Sequence, residues 1–197
     1  AGPSFDPIAF DATGDRLFVQ SDRDTNTEAI YAFDTRTREF GPPIFSPGNF
    51  DLEASGAGLL TFSPRDQSLL AVNYQADKPV VEPLDSKFRS IQKAIDGALP
   101  GNFNQVVSLA KDGVTGIVLT ASDREPGTYL LANFDRMEMS VLGKRRPWLD
   151  PAKMAATLPI SFNSRDGHPI HGYLTIPPGG ATNHLPMVVH PHGGPWV

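Results

Sequence analysis

Short apolar runs separated by polar turns set the pattern of most of this chain. In "IAFDATGDRLFVQS" (8–21), "LLTFSPRDQSLLAVN" (59–73) and "VVSLAKDGVTGIVLTAS" (106–122), an apolar strand, a polar turn and a second apolar strand follow one another. Aligned at Phe10, Phe62 and Leu109, the three stretches recur about every 50 residues, the order of one β-propeller blade. The turns "DATGD" and "SPRDQ" hold residues that accept turn geometry, and Gly14 and Gly113 reach positive φ without steric cost. In "DRLFVQ", Leu17 and Val19 alternate with Phe18 and Gln20, so one face is wholly apolar.

The first and third units continue alike. "AIYAFDTRTREF" (29–40) and "TYLLANFDRMEM" (128–139) each predict a strand, a polar turn and the start of a further strand. Each of these units thus offers four strands, one blade. The second unit departs from this pattern. Leu84, Phe88, Ile91 and Ile95 recur at spacings of four, three and four, which predicts a helix over about 86–96. Asp85 or Ser86 can cap its start, Gly97 suits its end, and Pro100 follows. The expectation is an apolar stripe that packs inward, with the helix standing where blade strands would be. A β-sandwich with a helical insertion is the competing architecture.

From residue 143 the alternation is lost. "GKRRPWLDPAKMAATLP" carries three prolines and reads as a connector. "ISFNSRDGHPIHGYLTIPPGG" (160–180) then predicts a β-hairpin turning at Asp166-Gly167. "LPMVVHPHGGPWV" ends the chain, with a strand expected to run up to His190. The expected organisation is three propeller blades over 1–145, a connector over 146–159, and the first strands of another domain over 160–197. The class is mainly β.

Composition narrows the functions. The net charge of -5 gives no basic footprint for nucleic acid. No apolar run approaches the roughly 18 residues of a membrane span. The chain has no cysteine, which excludes disulfides, thiolate catalysis and cysteine-ligated zinc. It starts at Ala1 without a methionine, and the expectation is an internal or processed start. All five histidines fall between His168 and His192. Pro191 interrupts the strand between His190 and His192, and no carboxylate completes a ligand spacing, so no metal and no cofactor are expected. His190 is expected as a packed, hydrogen-bonded residue at a strand end.

A strand followed by His-Gly-Gly resembles the oxyanion-hole loop of α/β-hydrolases. The fuller pattern "RDG-x-P-I-x-G-Y-L-x-x-P" followed by "LPMVVHPHGGPW" resembles the prolyl oligopeptidase family of serine peptidases, in its acylaminoacyl-peptidase and dipeptidyl-aminopeptidase-like branch. "SDREPGTYLLANFDRMEMSVLGKRRPWLDPAKMA" is similar to that family's last blade and interdomain crossing. The resemblance covers residues 105–197 well and the earlier blades loosely. It implies a propeller followed by an α/β-hydrolase domain, hydrolysis of short peptides through an acyl-enzyme, and an oxyanion-hole loop at His192, Gly193 and Gly194. The backbone N–H of Gly194 is the implied donor, with His192 supporting the loop. One such donor contributes about 2.7–4 kcal/mol at the transition state.

The triad implied by the family is missing from this chain. There is no G-x-S-x-G, and Ser63, Ser122 and Ser164 lie in turn-forming sequences. The expectation is a fragment that supplies blades and the oxyanion-hole loop, inactive alone, with a peptide as substrate of the parent protein. Unpaired strand edges lead to an expectation of oligomeric or strand-swapped association. A non-catalytic propeller interaction module and an esterase of the α/β-hydrolase class are the alternatives.

Overall fold

The computed structural model describes residues 2–53, 58–179 and 183–191. It divides into two compact units, residues 1–149 and 150–197.

In the first unit, three antiparallel sheets follow one another along the chain. The first contains β1 (Asp6–Phe10), β2 (Arg16–Ser21), β3 (Ala29–Asp34) and β4 (Glu39–Phe45), paired in chain order. The second contains β5 (Leu60–Phe62), β6 (Leu69–Gln75) and β7 (Pro79–Pro83), followed by α1 (Ser86–Ala98). The third contains β8 (Phe103–Leu109), β9 (Thr115–Ala121), β10 (Thr128–Asn133) and β11 (Glu138–Lys144), again in chain order. Two four-stranded meanders flank a three-stranded one whose fourth place is taken by a helix. This is a partial β-propeller of three blades.

The repeat lies in backbone bonds as well as in sequence. The N–H groups of Asp11, Ser63 and Ala110 donate to the carbonyls of Arg16, Ser68 and Thr115, at 2.9, 2.9 and 2.8 Å. These are equivalent positions in the three units. Gly14 and Gly113 occupy the positive-φ corners of the first and third turns, at +76° and +69°; in the second turn Gln67 takes that conformation at +57°.

Two apolar clusters hold the blades together. Phe18 and Ile30 of the first sheet meet Leu52, Leu59 and Val72. Leu70 and Ala71 meet Phe88 and Ile95 of the helix and Val106, Val118, Leu130, Ala132 and Phe134 of the third sheet. The inward packing expected of the helical stripe is what the structure has: Phe88 and Ile95 are buried, with Ile91 against the same cluster. In β2 each face carries one buried apolar residue, Phe18 toward the second sheet and Val19 on the opposite face beside Tyr31.

Asp85 caps the helix, its carboxylate accepting from Phe88 N–H at 2.7 Å. The helix runs two residues beyond the expected end, so Gly97 lies inside it and Leu99 closes it by donating to the Ile95 carbonyl. The buried side chain of Gln92 explains the extension, because polar bonds hold this last turn against β8. Gln92 donates to the Asn104 carbonyl at 2.8 Å, and the Asn104 amide donates to Asp96 at 3.0 Å and to the Leu99 carbonyl at 3.2 Å.

Strand alternation puts the turns 11–15, 63–68 and 110–114 and the start of α1 at one end of the sheets. β11 finishes at the other end, where Arg145 N–H donates to the Gly127 carbonyl. The chain leaves the first unit from that end.

In the second unit, a short 3-10 turn at Pro151–Lys153 precedes a hairpin of β12 (Thr157–Asn163) and β13 (Pro169–Thr175). β12 starts three residues before the expected strand, within the stretch read as connector, because Thr157 to Pro159 pair with Thr175 to Tyr173.

Candidate functional site

The hairpin turn is built from its own side chains. The Ser164 N–H donates to the His168 carbonyl at 2.9 Å, and the Gly167 N–H to the Ser164 carbonyl at 3.0 Å. The Ser164 hydroxyl bonds the Asp166 carboxylate, which holds that carboxyl below the usual aspartate range. The other two serines weighed from the sequence are engaged in the same way. Ser63 Oγ accepts from the Arg65 N–H, and Ser122 Oγ accepts from the N–H groups of Arg124 and Glu125. Each hydroxyl closes a turn; Ser164 Oγ also donates to the His168 backbone carbonyl at 3.0 Å, not to the imidazole ring that activates a nucleophile.

Register divides the hairpin into two faces. Leu158 is opposite Leu174, Ile160 opposite Gly172 and Phe162 opposite Ile170, which gives one apolar face. Ser161 opposite His171 and Asn163 opposite Pro169 lie on the other. Leu158, Ile160, Phe162, Ile170 and Leu174 are all exposed. The alternation of "TLPISFN" carries this apolar stripe in the sequence.

The segment that leads to the loop differs from expectation. Residues 185–190 form no strand, and Met187, Val188 and Val189 are 82%, 90% and 73% exposed. His190 is exposed too, so it is not the packed strand-end residue expected of it. A strand needs a partner for its backbone groups, and among the described residues none is hydrogen-bonded to this segment. The loop residues His192, Gly193 and Gly194 lie outside the described residues. Among the described residues, no three His, Asp or Glu side chains converge as metal ligands, and no helix is long and apolar enough to cross a membrane.

A run of blade-like sheets followed by a β-hairpin and an apolar segment leading to His-Gly-Gly defines the class: a propeller-bearing protein with a second unit attached. No family model matches the chain. It is 24% identical over 191 residues to dipeptidyl aminopeptidase BIII of Pseudoxanthomonas mexicana, across 93% of this chain and 27% of that protein. Among solved structures, it is similar to a prolyl endopeptidase studied for interdomain dynamics in catalysis and specificity (TM-score 0.53, 16% identity, 91% of this chain and 25% of that one). It is also similar to prolyl oligopeptidase B of Galerina marginata (TM-score 0.52, 12% identity, 87% and 24%). The chain spans about a quarter of the length of these relatives. The solved structures share the fold of this chain, and the aminopeptidase shares its sequence at 24% identity.

Proposed function

We propose that this chain is the propeller-to-hydrolase region of a serine peptidase that cleaves short peptides. Residues 1–145 supply propeller blades, 146–159 cross between domains, and 160–197 begin an α/β-hydrolase domain. The loop His192–Gly194 supplies one oxyanion donor, the Gly194 N–H. The nucleophile, its aspartate and its histidine belong to the whole protein outside these residues. The observation that carries the reading is the order of parts in one chain: blade-like sheets, then a hairpin with a bare apolar face, then an apolar segment ending at His-Gly-Gly.

The chemistry follows from that order. A peptide carbonyl attacked by serine becomes a tetrahedral oxyanion, and a fixed N–H at that oxygen lowers the barrier. Glycine at 193 and 194 lets the backbone approach closely enough to present it. The oxyanion donor acts only together with a nucleophile, so the 197-residue chain by itself hydrolyses nothing by this route.

The test compares the full-length protein on aminoacyl- and dipeptidyl-arylamides with simple acyl esters. Amide hydrolysis abolished by a serine-directed fluorophosphonate supports the peptidase. Ester hydrolysis without amide hydrolysis favours an esterase, and no hydrolysis of either favours a propeller interaction module.

A further inference from the structure

At the end of the blades away from the chain's exit, a cleft of about 190 Å³ opens between the second and third sheets. Its lining is part apolar and part polar. Of its apolar residues, Leu70 and Phe88 belong to the buried cluster, and Ile91 and Leu109 are half-buried against it. Its rim carries Arg65, Lys87 and Lys111, from the β5–β6 turn, the first turn of α1 and the β8–β9 turn.

Two acids, Asp66 and Asp85, also line this cleft, and Asp112 lies next to it; each accepts hydrogen bonds from its own loop. Asp66 accepts from the hydroxyl and N–H of Ser68, at 2.7 and 3.1 Å. Asp85 caps the helix. Asp112, next to Lys111, accepts from the N–H groups of Val114 and Thr115. The helix N-terminus is therefore closed by its own cap and offers no anion site. The cations differ. Among the described residues, neither Lys87 nor Lys111 has an ion pair. Arg65 reaches across the two turns and donates from one nitrogen to the Asp112 carbonyl at 2.8 Å, which fixes its guanidinium at the rim. Arg65, Lys87 and Lys111 thus bring three positive charges to the cleft against the two negative charges of Asp66 and Asp85, whose Oδ1 atoms accept from their own loops.

We propose that this cleft is a second binding site, for a small apolar carboxylate. The space takes one side chain rather than a drug-sized molecule, whose pockets run to about 300–1,000 Å³. An apolar side chain would rest on Leu70, Phe88, Ile91 and Leu109, with its carboxylate at the rim among Arg65, Lys87 and Lys111. The C-terminal residue of a peptide and a free aliphatic acid share this chemistry. The inference is independent of the peptidase reading, because every residue it uses lies in the first unit and none is part of the oxyanion loop.

Ligand-observed NMR on the 197-residue chain tests it, with N-acetyl-leucine, N-acetyl-leucinamide and hexanoate as probes. N-acetyl-leucine should bind saturably with a Kd on the order of 1 mM, a free energy of about -4 kcal/mol. The uncharged amide should bind about tenfold more weakly or less, since it lacks the charge that the rim recognises. The exposed double variant Lys87→Glu/Lys111→Glu should keep its melting temperature and weaken N-acetyl-leucine about tenfold or more. Hexanoate binding as tightly as N-acetyl-leucine assigns the site to aliphatic acids in general; weaker binding assigns it to peptide termini. Absence of saturable binding, equal binding of acid and amide, or an unchanged Kd in the folded double variant would overturn the proposal.

Discussion

Asp66 is exposed, yet its carboxyl is lowered to about 2. The Ser68 hydroxyl is the main cause, followed by the Ser63 hydroxyl and the Ser68 N–H, all of which favour the charged form. Because the folded value is below the ordinary 3.8, this carboxylate stabilises the fold fully above about pH 4. That contribution is lost as pH falls toward 2. A carboxyl NMR titration should place Asp66 near 2, and Ser68→Ala should move it back toward 3.8. An unshifted midpoint in the variant would mean that the turn is held by something else. A second residue-scale test concerns Arg38 and Met137, which sit at matched turn positions with φ of 63° and 51°. Left-handed backbone costs a non-glycine residue about 1–2 kcal/mol. Allowing for glycine's greater loss of freedom, Arg38→Gly or Met137→Gly should raise stability by about 0.5–1 kcal/mol in urea unfolding. The match of these two turns was legible in "DTRTRE" and "NFDRME". Their strain was not, because neither residue favours that conformation.

At the scale of elements, apolar spacing located α1 and its cap. It placed the helix end too early, because Gly97 is a local signal and the Gln92–Asp96–Asn104 bonds that extend the helix join it to another element. Asp85→Ala should cost about 1 kcal/mol, the usual effect of losing an N-cap. Close packing makes a larger claim at Gly116. A Cβ there would fall 2.8 Å from the Phe134 ring and 2.8 Å from the Ser108 carbonyl oxygen. The ring is buried and the carbonyl is backbone, so neither yields cheaply. Gly116→Ala should therefore destabilise the first unit by about 1–3 kcal/mol, measured by thermal or urea unfolding. No feature of "DGVTGIVLTAS" marks Gly116 apart from Gly113, since one is required by a turn and the other by a neighbour that only the fold brings close.

The whole molecule leaves apolar faces in water. Val141 and Leu142 on the outer strand of the third sheet, Leu158 and Phe162 on the hairpin, and Met187 to Val189 are all exposed. Such surface drives association. Light scattering should give a mass above the 21.3 kDa of one chain, with dye binding typical of exposed apolar surface; a monodisperse monomer that binds no dye would contradict this. The order of parts was legible in the sequence because each blade repeats a local pattern. "LPMVVH" has strand composition yet forms no strand, because composition does not supply the partner that a strand requires.

The proposed peptidase chemistry turns on the Gly194 N–H as an oxyanion donor. Steady-state hydrolysis of a dipeptidyl-arylamide by the full-length protein, with and without Gly194→Pro, tests it most directly. Proline removes the N–H but also fixes φ near about −65° and restricts Gly193, so Gly194→Ala, which keeps the N–H, is measured beside it and should retain most of the activity. In Gly194→Pro, kcat should fall by about 10²–10³ while KM changes little, at an unchanged melting temperature. An unaltered kcat in the folded variant, or a full-length protein that cleaves no amide, would contradict it.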